Sequence, residues 1–276
     1  GKRGFIDSVA YIPVEIDFKE KIMILKAWTR QYIAQEEFKA DNLLTHIQSL
    51  MKIQFKVVTE DFVTEHKRVL FLMSKSLINE AYAHVPTYTQ ICNINGTVHE
   101  FVEKTLNGLP LRNKKIVGDK YILEEGVMNF EGEIKNVIEG LAISDYFYQR
   151  NFDEIWDMGL EAVVARIKFN DTERVLTSLS GENTSTPIFC TKTFMSLKNR
   201  MEEAEKTETL WITMKRKKGN LNLKFDASES QYLEVLIKYG IRFNEADMIS
   251  ALKMYDKYAG KLNRKITEQS KSAIGQ

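Results

Sequence analysis

The sequence contains few of the residues that cross-link or break a fold. Its 276 residues include two cysteines, four prolines and fourteen glycines. Cys92 and Cys190 lie far apart and neither belongs to a C-x-x-C pair, so the sequence indicates neither a disulfide framework nor a zinc site. We therefore predict two buried free thiols. The scarcity of proline and glycine favours long helices.

Long apolar runs and nucleotide-binding motifs are also missing. No segment approaches the roughly 18 apolar residues of a membrane span, and the first residues show no signal-peptide pattern. We therefore expect no membrane partner and a cytoplasmic location, which for a viral protein means the host cytosol or nucleus. Neither G-x-x-x-x-G-K nor G-x-G-x-x-G occurs, which argues against a nucleotide cofactor. We expect no cofactor and assign no metal ligand.

Apolar and charged residues are both plentiful, but the charge is unevenly distributed. The chain is 43% hydrophobic and 28% charged with a net charge of +1, a composition typical of a globular protein. Residues 191–276 carry a formal charge of +6 and residues 1–190 carry −5. Residues 121–162 contain ten carboxylates against Lys135 and Arg150. This polarity suits the binding of a polyanion and, equally, head-to-tail self-association.

The hydrophobic pattern predicts a helix-rich α+β fold. Apolar residues at three- and four-residue steps predict helices from Phe18 through Ile33 and over 42–51, 61–83, 97–106, 152–169, 191–206, 229–239 and 245–268, with a short one at 172–181. Alternation predicts strands over 114–123 and 126–135, and an edge strand or extended arm over 9–18 that contains Pro13. We expect a mainly helical subdomain over 1–110, with the N-terminal arm. The second subdomain, 111–276, has helices around a small antiparallel sheet.

Four consecutive cations mark the centre of the C-terminal part. The run comprises Lys215, Arg216, Lys217 and Lys218, and Gly219-Asn220 follows it with the backbone freedom of a tight turn. Alternating apolar residues on both sides predict an antiparallel hairpin, whose exposed end carries the cations. Trp211 falls on the polar side, where an indole can stack on a base. We call residues 215–218 the basic turn.

Clustered cations predict sequence-tolerant binding of DNA or RNA, as in a replication, packaging or nucleoprotein role. The order of helix, turn, helix and hairpin over 172–225 is that of a winged helix. This interpretation adds Lys198 and Arg200, on the middle helix, to the predicted nucleic-acid-binding residues. Arg264 and Lys265 form a second basic cluster near the C-terminus. The alternative for the hairpin is a solvated tip whose lysines prevent edge-to-edge pairing. None of these residues is assigned a catalytic role.

Two other functions are open at this stage. Asp119 in one predicted strand and Glu133 and Lys135 in the next follow the order of metal-dependent nucleases of the PD-(D/E)xK kind, although the proline of that motif is absent. Glu100 and His99 could complete the ligand set. The third hypothesis is a structural subunit that forms a homo-oligomer through its acidic and basic ends. The end residues Gly1 and Gln276 are compatible with processing from a polyprotein.

Overall fold

The structure is a computed structural model that describes residues 12–19, 22–27, 40–59, 64–91, 94–112, 114–117, 120–123, 128–147, 152–182, 186–216, 219–238 and 245–274. Within these residues it contains seven α-helices and nine β-strands, which confirms the predicted helix-rich α+β class. The chain divides into two compact units, residues 1–60 and 61–276. The boundary predicted from the sequence, between residues 110 and 111, falls inside the second unit.

The first unit contains one hairpin and one helix. Strands β1 (Val14–Asp17) and β2 (Ile22–Leu25) pair in antiparallel fashion, and helix α1 spans Ala40–Gln54. Pro13 precedes β1, where the missing proline N–H costs no ladder hydrogen bond, and its carbonyl accepts the backbone N–H of Lys26 at 3.1 Å. The sequence placed residues 22–25 in a helix, which is wrong. The run Ile-Met-Ile-Leu is apolar throughout, and such a short run fits either a strand or a helix.

The second unit contains six helices and seven strands within its described residues. The helices are α2 (Glu65–Ala83), α3 (Pro86–Ile91), α4 (Asn95–Gly108), α5 (Phe130–Tyr146), α6 (Lys192–Ala204) and α7 (Glu245–Ile274). Strands β3 (Lys114–Val117) and β4 (Lys120–Leu123) form a separate hairpin. The helices predicted over 61–83, 97–106, 191–206 and 245–268 correspond to α2, α4, α6 and α7, with boundaries shifted by a few residues.

A five-stranded antiparallel sheet organises this unit. Its strands are β5 (Ala162–Asn170), β6 (Leu176–Ser180), β7 (Thr209–Lys215), β8 (Asn220–Asp226) and β9 (Glu234–Lys238), in the spatial order β6-β5-β7-β8-β9. The inward side chains are apolar and buried in the core with α2 and α7. Phe225 of β8, for example, stacks on Tyr255 of α7 with 6.5 Å between the ring centroids. The opposite side of the sheet carries mainly polar side chains, although Val163, Thr209 and Thr213 on that side are buried.

Several predicted elements of the second unit have the wrong type. The predicted strand 126–135 lies largely in α5, which Asn129 caps by accepting the N–H of Gly132 at 3.0 Å. The predicted helix 152–169 is a 3₁₀ helix over Phe152–Met158 followed by β5. Residues 172–181 and 229–239, both predicted helical, contain the strands β6 and β9. Each is an edge strand that pairs with the strand preceding it in the chain, β6 with β5 and β9 with β8, and local periodicity did not reveal that pairing.

Cys190 is a free thiol that is only half-buried. Burial raises its pKa to about 11, so the side chain is a neutral thiol at physiological pH. Cys92 lies outside the described residues.

Candidate functional site

The hairpin predicted around the basic turn is present. Strands β7 and β8 pair from Thr209 opposite Asp226 to Lys215 opposite Asn220, and the backbone N–H of Arg216 donates to the Gly219 carbonyl at 3.1 Å. Gly219 has φ of 71°, a conformation that glycine adopts without steric cost. The alternation is also as predicted, because Leu210, Ile212, Leu221, Leu223 and Phe225 are all buried. Lys215 therefore belongs to the last residue pair of the ladder, and Arg216 follows it.

The cations of the basic turn are not equivalent. Lys215 is exposed, with its Nζ 5.7 Å from the centroid of the Trp156 ring. Arg216 instead donates from Nη1 to the Asp247 Oδ2 at 2.7 Å, and its side chain is only 19% exposed. Its Nε is buried and has no hydrogen-bond partner among the described residues. Lys217 and Lys218 lie outside the described part of the chain. Arg216 therefore acts first as an internal ion-pair partner.

Trp211 lies on the outward side of the sheet, between two cations. Arg166 on β5 and Lys224 on β8 are the direct cross-strand neighbours of Trp211. The Arg166 Cζ lies 4.5 Å and the Lys224 Nζ 5.7 Å from the indole centroid, distances at which cation–π attraction is effective. Lys168 stands two residues beyond Arg166, on the same side of β5. We call Arg166, Lys168, Trp211 and Lys224 the sheet face.

Carboxylates occupy one end of the sheet face. Lys224 pairs with Asp226 at 2.7 Å and lies 3.8 Å from Glu234. Burial raises the pKa of Asp226, but hydrogen bonds from Lys224 and Ser228 outweigh this effect, so the net pKa is lowered and the group stays ionised. Glu208, just before β7, lies 3.8 Å from Lys168. The positive charge of this end is thus largely compensated.

Arg166 differs from the other cations of the sheet face. The side chain is exposed, and its Nη2 lies 3.4 Å from the Ser178 Oγ. It has no carboxylate partner within the described residues. Sequence reasoning missed Arg166, Lys168 and Lys224, because β5 was interpreted as a helix and the cross-strand register could not be known. A detectable signal was the alternation Arg166-Ile167-Lys168-Phe169, in which cations and apolar residues take opposite sides of a strand.

Helix α6 does not present the expected basic surface. Lys198 is buried, with its side chain 8% exposed, and it donates to Glu139 of α5 while lying 3.8 Å from Glu202. Arg200 lies 3.7 Å from Glu173 and 4.0 Å from Glu203. The winged-helix order is wrong as well, because the segment expected to be its first helix contains strand β6. These contacts remove Lys198 from the candidate set and leave Arg200 largely neutralised.

The remaining predicted cations are only partly described. Arg264 and Lys265 lie on α7, beyond the residues whose side chains the structure describes. Lys257, about two turns earlier in α7, pairs with Glu161 of the acidic segment. Lys198 with Glu139 is a second pair of this kind. Part of the charge polarity seen in the sequence is therefore satisfied within one chain, which weakens the case for assembly through these charges.

The geometry does not support the nuclease motif. Asp119 lies outside the described residues, whereas Glu133 and Lys135 lie on helix α5 rather than on a strand. Two residues apart on a helix, they point in nearly opposite directions, since each residue turns the helix by about 100°. Lys135 pairs with Glu131 at 2.7 Å, and Glu100 pairs with Lys104. No group of three or more His, Cys, Asp or Glu in the described chain could hold a metal ion.

Two further findings bear on the class of protein. None of the helices in the described ranges has the length and apolar character required to cross a membrane. Comparisons with protein-family models, curated proteins and solved structures find no match to this chain. The function therefore has to follow from the residues and contacts described above.

Proposed function

We propose that this protein binds nucleic acid with little dependence on base sequence, through the sheet face and the adjoining basic turn. The roles of the residues are electrostatic attraction and stacking, and no residue is assigned a catalytic role. Lys215, Lys217 and Lys218 would contact phosphates, whereas Arg166 and Trp211 would contact the sugar–base part of the ligand. Arg216 would support the turn through Asp247.

The observation that carries this proposal is the position of Arg166 over Trp211 on the outward side of the sheet. A cation near an aromatic ring on a polar surface matches the two components of a nucleotide, its phosphate charge and its flat base. Lys215 extends the positive surface from the same strand as Trp211, four residues further along. At about 3.3 Å per residue, the two side chains lie on the order of 13 Å apart along β7.

A triple variant tests the electrostatic part of the proposal. Lys215, Lys217 and Lys218 are changed to serine together, and Arg216 is kept because it is bound to Asp247. The matched control changes Lys192, Lys206 and Lys253 to serine, three exposed lysines outside the hairpin with the same total charge. Binding of labelled 20-nucleotide DNA and RNA is measured by fluorescence anisotropy at 50 and 200 mM salt.

We expect the hairpin variant to lose affinity and the control to keep most of it. If each lysine neutralises one phosphate, the slope of log affinity against log salt becomes less steep by about 2 for three lysines on a single strand. Equal losses in both variants would mean that only net charge matters and would reject this site. No binding by the wild-type protein at 50 mM salt would reject the proposed function.

A further inference from the structure

Three side chains form one row across the outward side of the sheet. Arg166, Trp211 and Lys224 are direct neighbours on β5, β7 and β8. Adjacent strands are about 4.8 Å apart, so the row spans about 10 Å with the indole at its centre. Lys224 is engaged by Asp226, whereas Arg166 contacts the indole and Ser178 and remains exposed. The exposed Arg166 guanidinium and the partly exposed indole thus form the cationic and aromatic centre of this row.

The width of the sheet discriminates between duplex and single-stranded ligands. Five strands at about 4.8 Å span about 19 Å, whereas the major groove of B-DNA is about 12 Å wide and accepts a helix or a two-stranded ribbon. The face of this sheet is too broad to reach base edges inside a groove. Unpaired bases can instead lie flat on such a surface, stacked on aromatic rings and guanidinium planes.

We infer that the ligand of the sheet face is single-stranded nucleic acid, with one unpaired base stacked on the Arg166–Trp211 pair. This inference rests on the proposed nucleic-acid-binding function and specifies its ligand. The charges on the sheet face also determine the direction in which the bound nucleic-acid strand runs. Glu208, Asp226 and Glu234 lie at one end and repel phosphates, whereas the basic turn lies at the other. The backbone therefore continues from Trp211 towards Lys215.

The experiment compares stacking with simple charge attraction. Wild-type protein and the variants Trp211→Leu, Trp211→Phe and Arg166→Gln are titrated with single-stranded dT12 and rU12 and with a 12-base-pair duplex at 50 and 200 mM salt. Trp211→Phe keeps an aromatic ring and serves as the conservative partner of Trp211→Leu. Urea unfolding of each variant establishes that it is folded under the binding conditions. Comparison of dT12 with rU12 shows whether the protein prefers single-stranded DNA or single-stranded RNA.

We expect the single strands to bind at least tenfold more tightly than the duplex. Loss of one stacked base lowers affinity about 5- to 150-fold, so Trp211→Leu should show this loss at both salt concentrations, with an unchanged salt slope. Trp211→Phe should recover most of it. Arg166→Gln should weaken binding with little change in the slope, because the guanidinium contacts the base rather than a phosphate. Duplex binding should not change in Trp211→Leu.

Three outcomes would contradict different parts of the proposal. If single strands and duplex bind equally and Trp211→Leu has no effect, the stacking inference is wrong while nucleic-acid binding stands. If neither ligand binds at 50 mM salt, the proposed function itself is wrong. If Trp211→Leu and Trp211→Phe lose affinity equally, the indole supports the sheet rather than a base.

Discussion

Asp247, in the first turn of α7, accepts a hydrogen bond from the Arg216 guanidinium in the loop between β7 and β8, with 2.7 Å between Oδ2 and Nη1. The carboxylate side chain is 9% exposed and the guanidinium 19%. This contact fastens the basic turn to a helix 31 residues further along the chain. Among the four consecutive cations, Arg216 therefore has a structural role, whereas Lys215 faces solvent.

The first prediction concerns this ion pair. Asp247→Asn should lower the free energy of unfolding by about 1 to 3 kcal/mol, because it leaves a half-buried guanidinium without its charged acceptor. It should also strengthen nucleic-acid binding, since Arg216 becomes available to phosphates. Urea unfolding and anisotropy titration measure the two effects. Asp256→Asn, an exposed position on the same helix, changes the net charge equally and should leave stability and affinity nearly unchanged.

The second prediction separates Lys198 from the binding site. Lys198→Met should destabilise the protein by about 2 to 4 kcal/mol, because Glu139 loses the cation that compensates its burial. The double variant Lys198→Met/Glu139→Gln should recover part of that loss, as expected when two residues are coupled. Nucleic-acid affinity of the folded single variant should equal that of the wild type. A loss of affinity without a loss of stability would return Lys198 to the binding surface.

The third prediction concerns pH. The His66 Nδ1 lies 2.6 Å from the Tyr255 hydroxyl at the contact of α2 with α7, and burial lowers the pKa of His66 against a smaller opposing effect of Glu65. The unfolded chain therefore binds a proton at a higher pH than the folded chain does. Stability provided by neutral His66 is complete above pH 6.5 and falls as the pH decreases towards the folded-state pKa. It follows that acidification weakens the packing of α2 on α7.

His66→Asn provides the comparison for this effect. The shorter amide retains a polar group near the position of Nδ1 but does not titrate. The unfolding free energy of both proteins is measured from pH 8 to pH 5, and the advantage of the wild type should shrink as the pH falls through 6.5. A constant difference over this range would contradict the lowered pKa. The other histidines are present in both proteins, so their contributions cancel in the difference.

Local features of the sequence were sufficient for the hairpin and for five of the helices, α1, α2, α4, α6 and α7. Alternation with a period of two and a glycine with positive φ define β7 and β8 without reference to the rest of the chain. Strand β5 was missed because it lies between β6 and β7, and its start is buried on both sides. Its residues Ala162 to Ala165 therefore lack alternation.

The error at α5 was avoidable. Asn129 is a favourable N-cap residue, acidic Glu131 and Glu133 lie in the first turn, and Ile134, Ile138 and Leu141 follow at helical spacing. The ion pairs that neutralise the cations, in contrast, could not be predicted from the local sequence. Lys198 meets a carboxylate 59 residues away, and only the packing of α6 on α5 creates that pair. A run of cations in a sequence thus indicates where positive charge is concentrated, but not which of the side chains can bind a ligand.

The last prediction concerns the carboxylate end of the sheet face. Glu208 accepts hydrogen bonds from Lys67 at 3.2 Å and from Asn170 at 2.7 Å, and it lies 3.8 Å from Lys168. It lies just before β7 and precedes Trp211 by three residues, roughly 10 Å of extended chain and about one Debye length at 0.1 M salt. A phosphate near Trp211 is therefore within range of its repulsion.

Glu208→Gln should therefore strengthen binding of single-stranded nucleic acid severalfold at 20 mM salt and much less at 200 mM, because salt screens the charge that was removed. Glu203→Gln removes the same charge from α6 and should change affinity little, since Glu203 lies on a helix outside the sheet. Titrations of both variants at the two salt concentrations make the comparison. Equal effects from the two substitutions would show that the ligand responds to net charge and not to this end of the sheet. The direction inferred for the bound nucleic acid would then be wrong.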